Sequence, residues 1–241
     1  MADTKIRLHL EQPLGPGQPL ALDADAANYL FSVMRMAAGD TFLVFNGQAG
    51  EWRAEVTRAA KRSGEAICRA QTAPQRNPPD LWLLFAPIKK ARTDFIVEKA
   101  TEMGAARIVP VQTDFTNSER IRRDRLAAHA REAAEQCGGT FVPEVADLER
   151  LSRLLDHWPA ERRLLWADES RAGPVETLAG LPRGPWAILI GPEGGFSEPE
   201  RARLGAMAAV TPVALGPRIL RADTAAVAAL TLWQAHLGDW G

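Results

Sequence analysis

The residues of this chain that could do chemistry gather in two short stretches near its end. Gly191, Pro192, Glu193, Gly194 and Gly195 follow one apolar run, and Arg218, Ile219, Leu220 and Arg221 follow another, with Asp223 close behind. Glycines so placed stop a strand from continuing and leave backbone N–H groups free to face a ligand. The company of Arg218 and Arg221 on the second loop raises a functional reading of the glycine loop over that of a tight structural turn. The sequence has no GxxxxGKS or GxxxxGKT phosphate loop. Its glycines also come after a late strand, with spacing unlike the GxGxxG of a dinucleotide fold. Cys68 and Cys137 lack metal-ligand spacing. Zinc is not supported, and both are expected to be thiols of a reducing cytoplasm.

Both stretches read as strand, constrained loop and helix. Ala187 to Ile190 is uninterruptedly apolar, as in a strand covered on both faces. Ser197 with Glu200 three positions on is a capping box, so a helix starts there. Val213 to Leu215 reads as the second strand, turned by Gly216-Pro217. Asp223 or Thr224 then caps an alanine-rich helix that runs to about Leu237. Two strand ends opening into such loops predict a pocket at the carboxyl edge of a parallel sheet.

With 241 residues, the chain holds one large domain or two of moderate size. No apolar run is long enough to span a membrane, and the N-terminus has no apolar signal core, so a cytoplasmic protein is expected. The net charge of −1 argues against non-specific coating of nucleic acid. Residues 86–131, however, carry ten Lys and Arg against six Asp and Glu, which fits a localised anionic partner.

Residues 1–72 predict a β-rich domain. Ile6, Leu8 and Leu10 alternate with polar residues as in a half-buried strand. Asp23 to Met36 predicts a helix with Ala26, Leu30, Val33 and Met34 on one side. Thr41 to Phe45, Trp52 to Thr57 and Glu65 to Gln71 predict strands, with hairpin signals at Asn46-Gly47 and Lys61 to Gly64. Short strands at this spacing suggest a small barrel whose work is binding. The proline-rich stretch 73–80 is a linker.

From 81 to 241 strands and helices alternate. Strands are predicted at Leu81–Ala86, Arg107–Val111 and Leu164–Trp166, with an extended piece near Phe141 to Val145. Helices are predicted over Ala91 to Met103, Arg120 to Cys137, Leu148 to His157 and Val175 to Leu181. This order implies an α/β domain with a parallel sheet covered by helices.

Six segments in order, RLHL, YLFSVMRMAAGD, KARTDFIVEKATEMGAARIVPV, EAAEQCGG with VPEV, AILIGPEGGFSEPE and LGPRILRADTA, carry a resemblance over nearly the whole length. The chain resembles the bacterial 16S ribosomal RNA (uracil-1498-N3) methyltransferases, a branch of the knotted SPOUT superfamily. That resemblance implies an N-terminal PUA-like RNA-binding β-barrel and a C-terminal SPOUT domain with a deep trefoil knot. It further implies S-adenosylmethionine (SAM) as cofactor, a homodimer, and 16S rRNA in the assembled small ribosomal subunit as substrate.

By the same resemblance the SAM cleft lies among the loop after Leu164–Trp166, the GPEGG loop and the LGPRILR loop. Leu165, Trp166, Ile190, Gly191, Glu193 and Gly194 would contribute from the first two. Leu215, Gly216, Ile219, Leu220, Thr224 and Ala225 would contribute from the third, with Leu220 equally readable as core. Arg221 is the candidate to stabilise or orient the uracil or its phosphate, and Glu193 and Asp223 are the candidates to accept its N3 proton. Arg7, Arg35, Lys89, Lys90, Arg92 and Lys99 are candidates for phosphate contacts. Two positions depart from the family pattern: Phe115 stands where an arginine is common, and Asp223 where a glutamate is usual. Competing readings are a knotted methyltransferase acting on a ribose 2′-OH or on transfer RNA, and a ribosome-binding factor without catalysis.

Overall fold

A computed structural model describes residues 6–117, 121–168, 178 and 180–241. The chain divides into two compact units, one of Met1–Asn77 with Ala134–Val142, the other of Pro78–Ala133 with Pro143–Gly241.

The first unit is built on a five-stranded sheet. Its strands are β1 (Arg7–His9), β2 (Pro19–Leu22), β3 (Thr41–Phe45), β4 (Glu51–Ala60) and β5 (Ser63–Ala73), in the order β1-β3-β4-β5-β2. The β1/β3 pair is parallel and the other pairs are antiparallel. Alternate residues point inward, so Leu8, Leu20, Leu22, Phe42, Val44, Ala54 and Val56 share one core. Strand β2 is missing from the sequence expectation; it is short and begins at a proline, which weakens the strand signal. The Asn46-Gly47 turn is wider than a two-residue hairpin, because Asn46 Oδ1 accepts from the N–H groups of both Gln48 and Ala49.

The helix expected from Asp23 to Met36 takes a different form. Asp23 caps α1 (Ala24–Ala27), which passes directly into a π-helical segment, Asn28–Val33. Ala26 and Leu30 are buried as expected, but Val33 and Met34 are 60% and 40% exposed. The cause is the wider turn: Met34 N–H donates to Tyr29 O rather than to the carbonyl four residues back. Met36 takes the core position instead, after Arg35 reverses the chain at φ 58°.

Arg7 is not a surface cation. Its Nε donates to Glu51 at 2.7 Å, and its terminal nitrogens donate to the carbonyls of Ala134, Glu135 and Gly139 at 2.8–2.9 Å. Its guanidinium also lies over the Phe45 ring, 4.8 Å from the centroid. With the side chain only 9% exposed, its donors serve the fold and not a phosphate. Burial likewise pushes the Cys68 thiol above its ordinary pKa, partly offset by a hydrogen bond with the Gly15 backbone, so it stays protonated.

The second unit alternates strand and helix. Among the described residues, strands β6 (Leu81–Phe85), β7 (Arg107–Gln112), β8 (Glu144–Val145), β9 (Glu149–Arg150), β10 (Arg163–Ala167), β11 (Trp186–Ile190) and β12 (Val210–Val213) alternate with four helices, and a fifth follows β12. The helices are α2 (Lys90–Glu102), α3 (Arg123–Cys137), α4 (Leu151–Asp156), α5 (Glu198–Ala206) and α6 (Ala222–His236). The sheet order is β12-β10-β11-β6-β7-β8, with β9 also on β7, and every pair is parallel. Central strand β11 is buried at every position, which explains its unbroken apolar run. The helix expected over Val175 to Leu181 falls largely outside the described residues.

Two boundaries near the chain end differ from the sequence reading. The last strand runs from Val210 to Val213 and not from Val213 to Leu215, because its pairing with Leu164 to Ala167 ends at Val213. Ala214 and Leu215 are thereby released into the loop. Helix α6 starts at Ala222 with Arg221 in the N-cap position, so neither Asp223 nor Thr224 caps it. Asp223 Oδ1 instead accepts from the N–H of Thr224. Helix α6 packs against α2 and β11, and its buried Gln234 donates to Met103 O at 2.6 Å where α2 ends.

The capping box at α5 forms in full: Ser197 Oγ accepts from Glu200 N–H while Glu200 Oε2 accepts from Ser197 N–H. Ser197 Oγ also donates to Asp114 Oδ2 at 2.5 Å. Ser197→Ala therefore removes a cap and strips a partner from Asp114. It should lower stability by about 1–2 kcal/mol in urea unfolding.

Candidate functional site

A cavity of about 350 Å³ opens at the carboxyl ends of β10, β11 and β12. Strand β10 contributes Ala167 and Asp168, and β11 contributes Ile190 before the chain enters the loop at Gly191, Pro192 and Glu193. Strand β12 contributes Val213, then Leu215 to Arg221 form the opposite wall, closed by Ala222 and Ala225 of α6. Strands β11 and β12 flank β10 in parallel and deliver both loops to one sheet edge, which is why stretches well apart in sequence share one hollow.

Local packing explains the loop composition. A Cβ on Gly191 would lie 2.6 Å from the ring of Phe196, which folds back beneath the loop. That ring is buried and meets Trp166 edge-to-face at 5.8 Å. Gly195 and Gly216 take φ values of 70° and 105°, so the turns they make favour glycine.

The charges around the cavity are arranged as pairs. Asp168, 4% exposed, receives Arg201 Nη1 at 2.7 Å, and Arg201 Nε also donates to Phe196 O. This ties the end of β10 to helix α5 and to the glycine loop. Arg92 of α2 stands between the two carboxylates singled out in the sequence, 3.4 Å from Glu193 Oε1 and 3.7 Å from Asp223 Oδ2. One guanidinium therefore links the loop after β11 to the start of α6. Arg218 and Arg221 are exposed at the cavity wall, and among the described residues no carboxylate pairs with either.

Ile190, Gly191, Glu193, Leu215, Gly216, Ile219, Leu220, Arg221 and Ala225 all line the cavity. Leu165, Trp166, Gly194 and Thr224 do not. Trp166 belongs to the core on the face shared with Phe196, and Leu165 is buried within the sheet, so the usable part of β10 starts one residue later. Gly194 and Thr224 are exposed outside the cavity, and Asp223 reaches it only through Arg92. The sequence reading puts the loops that hold Ala167, Asp168, Pro192 and Pro217 at the cleft without singling these residues out as ligands, and it misses Val213 and Ala222. The available signal was an acidic residue directly after the apolar run LLWA, at a strand's carboxyl end.

The basic candidates separate by their partners. Lys89 and Lys90 are exposed at the start of α2, and Arg35 is exposed at its reversed turn. Lys99 is held by Glu102 at 2.6 Å and lies over Phe95. Arg92 is engaged as described, and Arg7 is buried. Among the described residues no cluster of His, Cys, Asp or Glu could hold a metal, and no helix is long and apolar enough to cross a membrane.

Residues 75–234 match the RNA methyltransferase domain, and residues 22–67 match the RNA methyltransferase PUA domain. The ribosomal RNA small subunit methyltransferase E of Rickettsia conorii is 27% identical, the alignment covering 93% of both chains. A crystal structure of ribosomal RNA small subunit methyltransferase E from Neisseria gonorrhoeae, bound to SAM, superposes with a TM-score of 0.89. It is 28% identical, over 98% of this chain and 99% of that one. A Legionella pneumophila protein in complex with the bound cofactor SAM gives a TM-score of 0.86 at 29% identity, over 99% of this chain and 100% of its own. The greater part of the sequence is covered by the first of these domains and the sheet edge carries a cavity between its two loops, so the chain belongs to the RNA methyltransferase family.

Proposed function

We propose that this protein is a SAM-dependent methyltransferase that modifies N3 of a uridine in the RNA of the small ribosomal subunit. The observation that carries the reading is the cavity itself, where the GPEGG and LGPRILR loops meet beside Asp168 and Glu193. Its volume lies in the range of small-ligand sites. Apolar Ile190, Leu215, Ile219 and Leu220 suit an adenine, and the glycines allow close backbone approach. Those residues would hold SAM, which when bound supplies an activated methyl group on a sulfonium.

The remaining chemistry falls to the chain. The uracil has to be extruded and aligned, and alignment alone supplies a large part of the acceleration. Loss of the N3 proton leaves negative charge on the base, which exposed Arg221 at the cavity wall is placed to meet. Glu193 lines the cavity and is the acceptor its geometry favours. Asp223 shares Arg92 with it and holds that arginine in place. Lys89, Lys90 and Arg35 would contact phosphates, which position the RNA without reading its sequence.

The first unit is assigned to RNA binding as a PUA-like barrel. The second is assigned to a trefoil knot and a homodimer working on the assembled particle. The knot is carried over from the family resemblance; the sheet itself ends at β12 beside β10, and α6 packs against β11 and α2.

Small-subunit particles lacking the modification, incubated with the protein and labelled SAM, test the reading. Mass spectrometry should place the methyl on uracil N3; a methyl on ribose, or none with SAM bound in calorimetry, would overturn it. Gly191→Ala forces Phe196 out of its seat, and overpacking of that kind costs about 1–3 kcal/mol. Calorimetry should show SAM affinity falling by about tenfold or more as the loop shifts.

A further inference from the structure

The geometry points to Phe115 as a stacking platform for an unpaired base of the RNA substrate. The inference rests on the function proposed above and names a contact that function leaves unassigned.

Phe115 sits on the turn after β7, and nearly every other part of that turn is tethered. Thr113 N–H donates to Thr116 Oγ1 at 2.9 Å, the two hydroxyls hydrogen-bond at 2.9 Å, and Thr116 N–H donates to Thr113 O at 3.1 Å. Asp114 N–H donates to Glu200 Oε1 at 3.0 Å while its carboxylate receives Ser197 Oγ. Thr113 and Thr116 are buried, yet Phe115 between them is 47% exposed. A turn held by five hydrogen bonds thus presents a half-exposed phenyl ring to water.

Its placement gives the ring a use. Phe115 Cβ lies 3.4 Å from the point a Cβ on Gly194 would occupy, so the ring stands against the GPEGG loop. The preceding residue, Glu193, lines the cavity and is joined to Arg92 near the basic start of α2, where Lys89 and Lys90 are exposed. An exposed ring beside the cavity mouth, with cations close in sequence to Arg92, matches how single-stranded RNA is held: bases stack on aromatic faces while Lys and Arg take the phosphates. The preorganised turn adds to this, since little backbone freedom is left to lose when a base lands.

The test uses the full-length protein, with small-subunit particles lacking the methyl as substrate, and compares Phe115→Ala, Phe115→Leu and Phe115→Trp. Stacking requires the aromatic face, so alanine and leucine should both raise the KM for RNA about tenfold. Tryptophan should hold it near the original value, and SAM affinity by calorimetry should be unchanged in all three. RNA carrying 5-iodouridine at and beside the target should photo-cross-link to the peptide containing residue 115 of the unaltered protein. Leucine matching phenylalanine would mean that the ring is only packing. An altered oligomeric state in the alanine variant would make it a subunit contact. Either result, or the absence of a cross-link at this peptide, overturns the inference. Failure of the unaltered protein to transfer methyl would instead count against the proposed function, since the cross-link reads Phe115 independently of catalysis.

Discussion

Arg221→Ala should lower the rate of methyl transfer by about 10²–10³-fold while leaving the fold intact. Arg221 occupies the N-cap position of α6 without a side-chain cap bond, is exposed, and has no carboxylate partner among the described residues. Its removal breaks no packing and no ion pair, so the thermal midpoint should barely move. What is lost is a positive charge held beside the site where the deprotonated base would carry its negative charge. The effect belongs in kcat, with SAM affinity changed by no more than about threefold, less than 1 kcal/mol. Arg221→Lys should recover part of the rate, because the charge returns without the planar fork that can bind two oxygens at once. Unchanged turnover by the alanine variant in a single-turnover assay would remove Arg221 from the mechanism.

Arg7→Met has the opposite profile. It should destabilise the first unit by about 3–5 kcal/mol, the usual cost of stranding one member of a buried ion pair. Glu51, with a side chain 12% exposed, would keep Thr72 Oγ1 as a partner but lose the cation that pairs with it, and the carbonyls of Ala134, Glu135 and Gly139 would lose their donor. Adding Glu51→Gln should restore part of the loss, since the stranded charge goes with it. Urea unfolding followed by fluorescence reads both variants. A phosphate-contacting arginine would behave otherwise, leaving stability untouched and flattening the salt dependence of RNA binding.

The contrast between these two arginines shows what local sequence can and cannot say. Arg221 was legible because glycine, proline and the start of an alanine-rich helix are short-range signals, and they place it at a loop's end whatever the rest does. Arg7 looked like any charge on an alternating strand. Its burial depends on residues 134–139, more than 120 positions away. The same divide runs through the cavity. The capping box at Ser197 and the strand at Ala187 to Ile190 announce themselves locally, and both form. Where β12 ends depends on its register with β10, so Val213 was assigned to the wrong end of that strand. The Asn28–Val33 segment carries an ordinary helical pattern, and nothing in it signals the wider turn that moves Val33 and Met34 into solvent. Asp168 carries no local mark of its role, because Arg201, with which it pairs, lies 33 positions on in α5.

The return of residues 134–142 to the first unit has a consequence for modularity. The polypeptide passes between the units at 77–78, at 133–134 and again at 142–143. A protease cutting within the proline-rich stretch would therefore nick the protein without freeing either part. Nor could a gene fusion that begins at Pro78 export the catalytic half cleanly, because it would carry along a piece of its neighbour, whose carbonyls Arg7 would no longer be there to hold.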